Sequence, residues 1–235
     1  TLVMPASNQK IVTAAVAAAR LGWDFRFETR LETTSPIENG VLKGDLFVVG
    51  NGDPTINARE GRDASAFDEM AAALKAAGVT RVEGRLVGDD DAFEDERFGY
   101  GWQLDDAAFG YSAPFGPLQV HMNTTEVIVA PGAAEDTPAT VTLRPAESDL
   151  VVVNRAVTGA TGSEARVAVA RYPARRELVV EGMVPLDGKP VTRTAAVDNP
   201  TQYVASVLKQ ALTTRGITVT GDAADIDDAG GGPVP

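Results

Sequence analysis

The spacing of Ser7 and Lys10 is the first feature of the sequence that could do chemistry. On a helix, residues i and i+3 lie on one face, so a neutral lysine amine can take the proton of the serine hydroxyl. The N-terminal end of a helix also favours an alkoxide-like nucleophile. The spacing therefore predicts a nucleophilic Ser7 with Lys10 as its base, and an ordinary N-cap serine is the alternative.

The same spacing occurs a second time, at Ser206 and Lys209. This serine is expected in the middle of a helix, where the positive end of the helix dipole does not reach it. Lys209 is most simply explained as a solvated side chain. We therefore predict no catalytic role for this second pair.

Local patterns predict the elements around the first pair. Pro5 and Gly22 bound an alanine-rich run, which is expected to form a helix over 7–21 with the serine as its N-cap. Asn39 and Gly40 stand between two runs of alternating apolar residues, which is a strong signal for a β-hairpin.

The rest of the chain alternates between helical and β-like patterns. Helices are expected over 66–77 and 201–215, and short β-like runs separated by turns occupy about 118–195. Between them, residues 89–117 are rich in aspartate, glycine and aromatic side chains. A connecting segment of this length is usually functional or disordered.

Composition excludes several classes of function. The net charge is −12, and no cluster of basic residues forms the stripe that a nucleic-acid partner needs, so we expect no nucleic-acid binding. The absence of cysteine excludes disulfides, thiol catalysis and cysteine-ligated metals. With one histidine, a Ser-His-Asp triad would depend wholly on His121. No metal or organic cofactor is predicted.

Several longer segments resemble one family of enzymes. They are MPASNQKIVTAAVAAARLGWDFRFETR, GVLKGDLFVVGNGDPTI, GWQLDDAAFGYSAP, NRAVT and VDNPTQYVASVLKQALTTRGI. Together they resemble the penicillin-binding D-alanyl-D-alanine carboxypeptidases of class C, the three-domain kind. The resemblance covers nearly the whole chain.

The resemblance implies an α+β fold in which a transpeptidase/β-lactamase-like domain is interrupted by inserted β-rich domains. Residues 1–25 would be the nucleophile-helix piece of that domain. The insertions would occupy 26–195, with an α/β part at about 26–117 and a β-rich part at about 118–195. Residues 196–235 would be a truncated return segment.

The resemblance also implies a substrate and its binding residues. Ser7 would attack the D-Ala-D-Ala bond of a peptidoglycan stem peptide with Lys10 as general base, and β-lactams would trap the same serine. Trp102 and Asp105 match a Trp-x-x-Asp that binds the amino end of the stem peptide's side chain. The resemblance further implies that the protein is extracytoplasmic, whereas its association with a membrane stays open. Asp53 is expected to be structural.

Two motifs of the family do not occur in the sequence. Neither Ser-x-Asn nor Lys-Thr-Gly follows the insertions, and Ser148-Asp149-Leu150 lacks the asparagine. We therefore expect that the chain is clipped at both ends and inactive by itself. Two alternatives stay open: a non-catalytic module that binds the cell wall, and a serine β-lactamase-like enzyme. His121 is expected to be a packed strand residue.

Overall fold

A computed structural model describes residues 4–57, 65–96 and 98–230. The fold is a mixture of helices and several small sheets. The helices are α1 (Gln9–Leu21), α2 (Ser65–Ala76), α3 (Pro200–Thr214) and α4 (Ile226–Ala229). The strands are β1 (Thr29–Glu32), β2 (Ile37–Glu38), β3 (Val41–Leu42), β4 (Leu46–Gly50), β5 (Arg81–Val82), β6 (Leu86–Asp89), β7 (Thr124–Ala130), β8 (Thr140–Arg144), β9 (Val151–Gly159), β10 (Arg166–Ala170), β11 (Glu177–Pro185), β12 (Val191–Ala196), β13 (Thr218–Val219) and β14 (Ala223–Asp225).

One sheet has the strand order β1-β4-β6-β14, in which β4, β6 and β14 are parallel and β1 is antiparallel. Its central strands are buried on both faces, as parallel strands usually are. Val48 and Leu86 belong to the core that also contains the buried side chains of α2 and α3. Phe47 and Val87, which point to the opposite face, pack with Ile226 of α4.

The strong hairpin signal is confirmed. Strands β2 and β3 pair through Asn39 and Gly40, whose φ angles are +51° and +84°. Two consecutive positive φ angles are typical of the tight turns that connect hairpin strands. The pair continues into a small sheet of order β13-β5-β3-β2.

The β-like runs of the second half form two further sheets, with orders β12-β7-β8 and β10-β11-β9. Their inner faces share one core, in which Val127 and Val129 of β7 belong to the same buried cluster as Leu178 and Val180 of β11. Strand β7 alternates between buried and less buried positions over most of its length, which is the two-residue period of a strand with one face on a core.

The last helix begins where the sequence predicts, because Asn199 caps it and Pro200 occupies its first turn. Helix α3 is part of the main core, and the strands that follow it pair with the strands that follow α2. Residues 196–235, predicted to return to the transpeptidase-like domain, thus add β13 and β14 to sheets built from 26–117. Helix α3 of the same segment packs in the core of those sheets. The predicted domain division stays a prediction, and 231–235 lie outside the described residues.

Helix α1 contrasts with the other long helices. It has no buried residue, and large apolar side chains such as Ile11 and Val16 are more than half exposed. Its stability therefore owes nothing to burial against the sheets. Among the helices of the described ranges, none is long and apolar enough to cross a membrane.

Candidate functional site

Ser7 and Lys10 lie within hydrogen-bonding distance of each other. The Lys10 Nζ atom donates to Ser7 Oγ at 3.4 Å, and both side chains are exposed. A contact of this length is long for a hydrogen bond, although catalytic contacts often tighten only when substrate is bound. The structure therefore places the lysine nitrogen within reach of the serine hydroxyl.

The prediction that Ser7 caps the helix is wrong. Residues Ala6–Asn8 form a 3-10 turn in which the Asn8 amide donates to the Pro5 carbonyl, and α1 begins only at Gln9. No side chain caps either the turn or the helix. Because the serine hydroxyl is not used by the backbone, it stays available to Lys10.

The backbone before the serine adopts a costly conformation. Ala6 has a φ of +45°, in the left-handed region that costs a residue with a Cβ roughly 1–2 kcal/mol. Strained backbone of this kind is concentrated at functional sites. The strain lies directly beside the predicted nucleophile.

The second Ser-x-x-Lys pair is not a catalytic pair. The Gln202 side chain donates to Ser206 Oγ at 3.2 Å, whereas Lys209 Nζ donates to the Gly221 carbonyl at 2.7 Å. Lys209 therefore connects α3 to the turn before β14 and is not simply a solvated side chain. Each member of the pair has its own structural partner.

Trp102 lies in an irregular segment between β6 and β7. Its ring makes an edge contact with Phe98, at 5.8 Å between centroids, and passes so close to Gly99 that a Cβ there would lie 2.6 Å from the indole Nε1. Trp102 as a whole residue is 41% exposed. Beside it is a cavity of about 150 Å³, lined by Phe98, Gly99, Trp102, Gln103, Leu104, Ala107, Ser112 and Pro173.

Asp105 is exposed on the 3-10 turn Leu104–Asp106 that follows the tryptophan. Its neighbour Asp106 accepts a hydrogen bond from the Tyr111 hydroxyl at 2.7 Å, which raises the pKa of that phenol. Asp106 thus helps to hold this segment together, whereas the Asp105 side chain is exposed. The two predicted pairs lie on separate elements, with Ser7 and Lys10 at α1 and Trp102 and Asp105 between β6 and β7.

Arg171 is a residue that the sequence analysis did not identify. Its side chain is fully buried and pairs with Asp198 at 2.5 Å. Burial lowers the pKa of the guanidinium and the Asp198 carboxylate opposes that shift. The only signal in the sequence is an arginine directly after a short β-like run, and many surface arginines follow strands in the same way.

Two other predicted residues have structural partners. His121 is buried with its Nδ1 3.0 Å from the Tyr203 hydroxyl, but its predicted place in a strand is wrong, because it lies in the short turn His121–Asn123 before β7, with a left-handed φ of +53°. Asp53 accepts hydrogen bonds from the amide and hydroxyl of Thr55, which confirms its predicted structural role.

One group of carboxylates has the spacing of metal ligands. Oxygens of Asp90, Asp225 and Asp227 lie within 4.8 Å of one another. Two of the acids also serve the start of α3, since Thr201 donates to Asp90 at 2.5 Å and Asn199 donates to Asp225 at 2.6 Å. We assign these acids to the junction between α3 and the strands.

Comparison with known protein families matches residues 1–229 to the D-Ala-D-Ala carboxypeptidase 3 (S13) family. A D-alanyl-D-alanine carboxypeptidase of an Actinomadura species is 39% identical over 227 residues, which cover 94% of this chain and 41% of the relative. The D-alanyl-D-alanine carboxypeptidase DacB of Haemophilus influenzae is 28% identical over 226 residues, which cover 94% of this chain and 45% of the relative. The chain thus spans less than half the length of these relatives.

Comparison with solved structures gives the same picture. The crystal structure of penicillin binding protein 4 (dacB) from Haemophilus influenzae matches with a TM-score of 0.74 at 25% identity, covering 96% of this chain and 48% of that one. A second structure of that protein, complexed with a β-lactam, matches with a TM-score of 0.68 at 23% identity. The mixed fold of small sheets therefore corresponds to part of a larger protein.

Proposed function

Because the chain belongs to the D-Ala-D-Ala carboxypeptidase 3 (S13) family, as its motifs predict, we propose that it is part of a serine D-alanyl-D-alanine carboxypeptidase. The observation that carries the proposal is the 3.4 Å contact between Lys10 Nζ and Ser7 Oγ. The substrate would be a peptidoglycan stem peptide that ends in D-Ala-D-Ala. By the same chemistry the enzyme would also act as an endopeptidase on the cross-links between stem peptides.

The reaction begins when Ser7 Oγ attacks the carbonyl carbon of the D-Ala-D-Ala bond and Lys10 takes the hydroxyl proton. The C–N bond then breaks, the proton taken by Lys10 passes to the leaving nitrogen, and the terminal D-Ala departs as an amine. Water attacks the resulting ester and releases the shortened peptide with the free serine. A β-lactam acylates the same serine, and opening of its ring replaces the loss of D-Ala.

Trp102 and Asp105 are proposed to bind the side chain of the stem peptide. An ammonium group of a diamino acid could pair with the exposed carboxylate and lie against the indole face. The position of Asp105 on the turn after the tryptophan, with Asp106 already engaged by Tyr111, supports this assignment. The location would be extracytoplasmic, because peptidoglycan lies there.

Labelling with penicillin tests the proposal. The test uses the full-length protein, meaning this chain together with whatever its reading frame encodes on either side. Intact-mass spectrometry and peptide mapping should find one adduct on the peptide that contains Ser7. The adduct should be absent in Ser7→Ala and retained in the matched variant Ser206→Ala. An adduct that persists in Ser7→Ala, or that maps to Ser206, would refute the assignment.

A further inference from the structure

Arg171 connects three segments that are distant in the sequence. It follows β10, and its Nη2 donates to the carbonyls of Ala107 at 3.0 Å and Val197 at 3.1 Å. Its Nη1 donates to Asp198 at 2.5 Å and to the Tyr172 carbonyl at 3.3 Å. One guanidinium therefore joins the segment after Trp102, its own loop, and the chain just before α3.

Two of these segments line the cavity beside Trp102. Ala107 lines one part of it, directly after the turn that carries Asp105, and Pro173 of the arginine's own loop lines another. The Ala107 wall has one further anchor close by, because the Ala196 amide donates to the Ala108 carbonyl at 2.9 Å. One buried side chain thus bonds directly both to the segment of Ala107 and to the loop of Pro173.

The geometry requires an arginine. A guanidinium presents several donors in a rigid fork, whereas a lysine ammonium is a compact charge on a flexible stem. A lysine at this position could keep the ion pair with Asp198 or the bond to Ala107, but its single nitrogen could not reproduce the fork that reaches both. Because the side chain is fully buried, water cannot replace the lost donor.

We propose that Arg171 is a positioning residue: it fixes the wall that carries Trp102 and Asp105 against the loop that carries Pro173, and so sets the affinity for the side chain of the stem peptide. The affinity part rests on the proposed function. The positioning part rests only on the contacts of Arg171.

The positioning part is tested with Arg171→Lys in the full-length protein, with Trp23→Phe added so that Trp102 dominates the signal from this region. Any tryptophan that the reading frame adds outside this chain is replaced by phenylalanine. We expect acrylamide to quench Trp102 more strongly in Arg171→Lys than in the parent. The matched control is Arg176→Lys, an exposed arginine of the same loop that pairs with Asp149, and it should quench like the parent.

The affinity part is tested with a stem peptide that has a free side-chain amine. Arg171→Lys should raise KM by roughly tenfold, the size expected when one buried charge-assisted hydrogen bond is lost. The kcat and the rate of penicillin acylation should stay within twofold of the parent, because Ser7 and Lys10 lie on another element. Arg176→Lys should leave all three quantities unchanged.

Each outcome decides between the alternatives. Unchanged quenching would overturn the proposal. A fall in kcat and in the acylation rate as large as the rise in KM would also overturn it, since that result describes a general structural role. If Arg171→Lys does not fold, Asp198→Asn replaces it and should shift quenching and KM less but in the same direction, and unchanged values would again overturn the proposal. If even the parent is not acylated, the proposed function fails while quenching alone still decides the positioning role.

Discussion

Lys10 is the residue whose role depends most directly on one distance. If it is the general base, Lys10→Ala should slow acylation of the full-length protein by penicillin about 100-fold or more, the usual contribution of a positioned base. The rate is measured by stopped-flow or quenched mass spectrometry. Lys75→Ala, which removes an exposed lysine of α2, is the matched control and should acylate normally. Near-normal acylation of Lys10→Ala would remove this lysine from the mechanism.

Asp105 makes a second prediction at the residue scale. Asp105→Asn should lower kcat/KM for a stem peptide with a free side-chain amine. The loss of transition-state stabilisation should be about 1.5–3 kcal/mol, the contribution of a charged hydrogen bond. Acylation by a simple β-lactam, which lacks that amine, should be almost unchanged.

A stem peptide with an acetylated amine is the matched substrate for this test. It should be cleaved equally by the parent and by Asp105→Asn, because acetylation removes the cation. Equal losses on the peptide and the β-lactam would instead show that Asp105 supports structure. No loss on either compound would leave it a solvated acid.

Elements with local signals could be predicted from the sequence, and elements made by distant contacts could not. The turn at Asn39 and Gly40 and the start of α3 at Asn199 depend on residues within a few positions of each other. The bond from Arg171 to Ala107 spans 64 residues, and no local pattern indicates which distant carbonyl an arginine will meet. The same limit applied to α3, whose sequence predicts a helix but not the sheet on which it packs.

The cap of α3 can be tested by stability. Asn199 accepts a hydrogen bond from the Gln202 amide at 3.0 Å, and its own amide donates to Asp225. Asn199→Ala should lower the free energy of unfolding by about 1 kcal/mol, because both bonds are lost and α3 lies in the main core. Urea unfolding of the 235-residue chain measures the change.

Asn8→Ala is the matched control at the other helix. Asn8 occupies the N-cap position of α1, yet its side chain makes no capping bond and α1 has no buried residue. The urea midpoint of Asn8→Ala should therefore equal that of the parent. A loss as large as that of Asn199→Ala would mean that α1 belongs to the cooperative core after all.

At the scale of the whole molecule, a helix without a buried residue contrasts with sheets that pack on buried apolar cores. The core strands and α3 supply most of the largest fully buried side chains, whereas α1 presents its apolar residues to solvent. A helix of 13 residues without tertiary packing is only marginally stable in water. The proposed nucleophile therefore lies in the turn that leads directly into this unpacked helix.

The last prediction concerns the 235-residue chain by itself. Hydrogen exchange should show strong protection in β4, β6 and α3, and rapid exchange throughout α1. Fluorescent penicillin should leave the chain unlabelled, because the Ser-x-Asn and Lys-Thr-Gly motifs that complete the family's active site do not occur in its sequence. Ser7 and Lys10 would then have the right spacing without the surfaces that hold a substrate against them.

The full-length protein is the positive control, and it should be labelled under the same conditions. Stoichiometric labelling of the 235-residue chain would show that Ser7 and Lys10 suffice for acylation without the other motifs. Strong protection of α1 would show that the helix is held in place by contacts that its exposure in the structure does not reveal. Because labelling depends on the site and exchange depends on packing, the two measurements separate a chain that lacks catalytic residues from one whose nucleophile helix is simply unfolded.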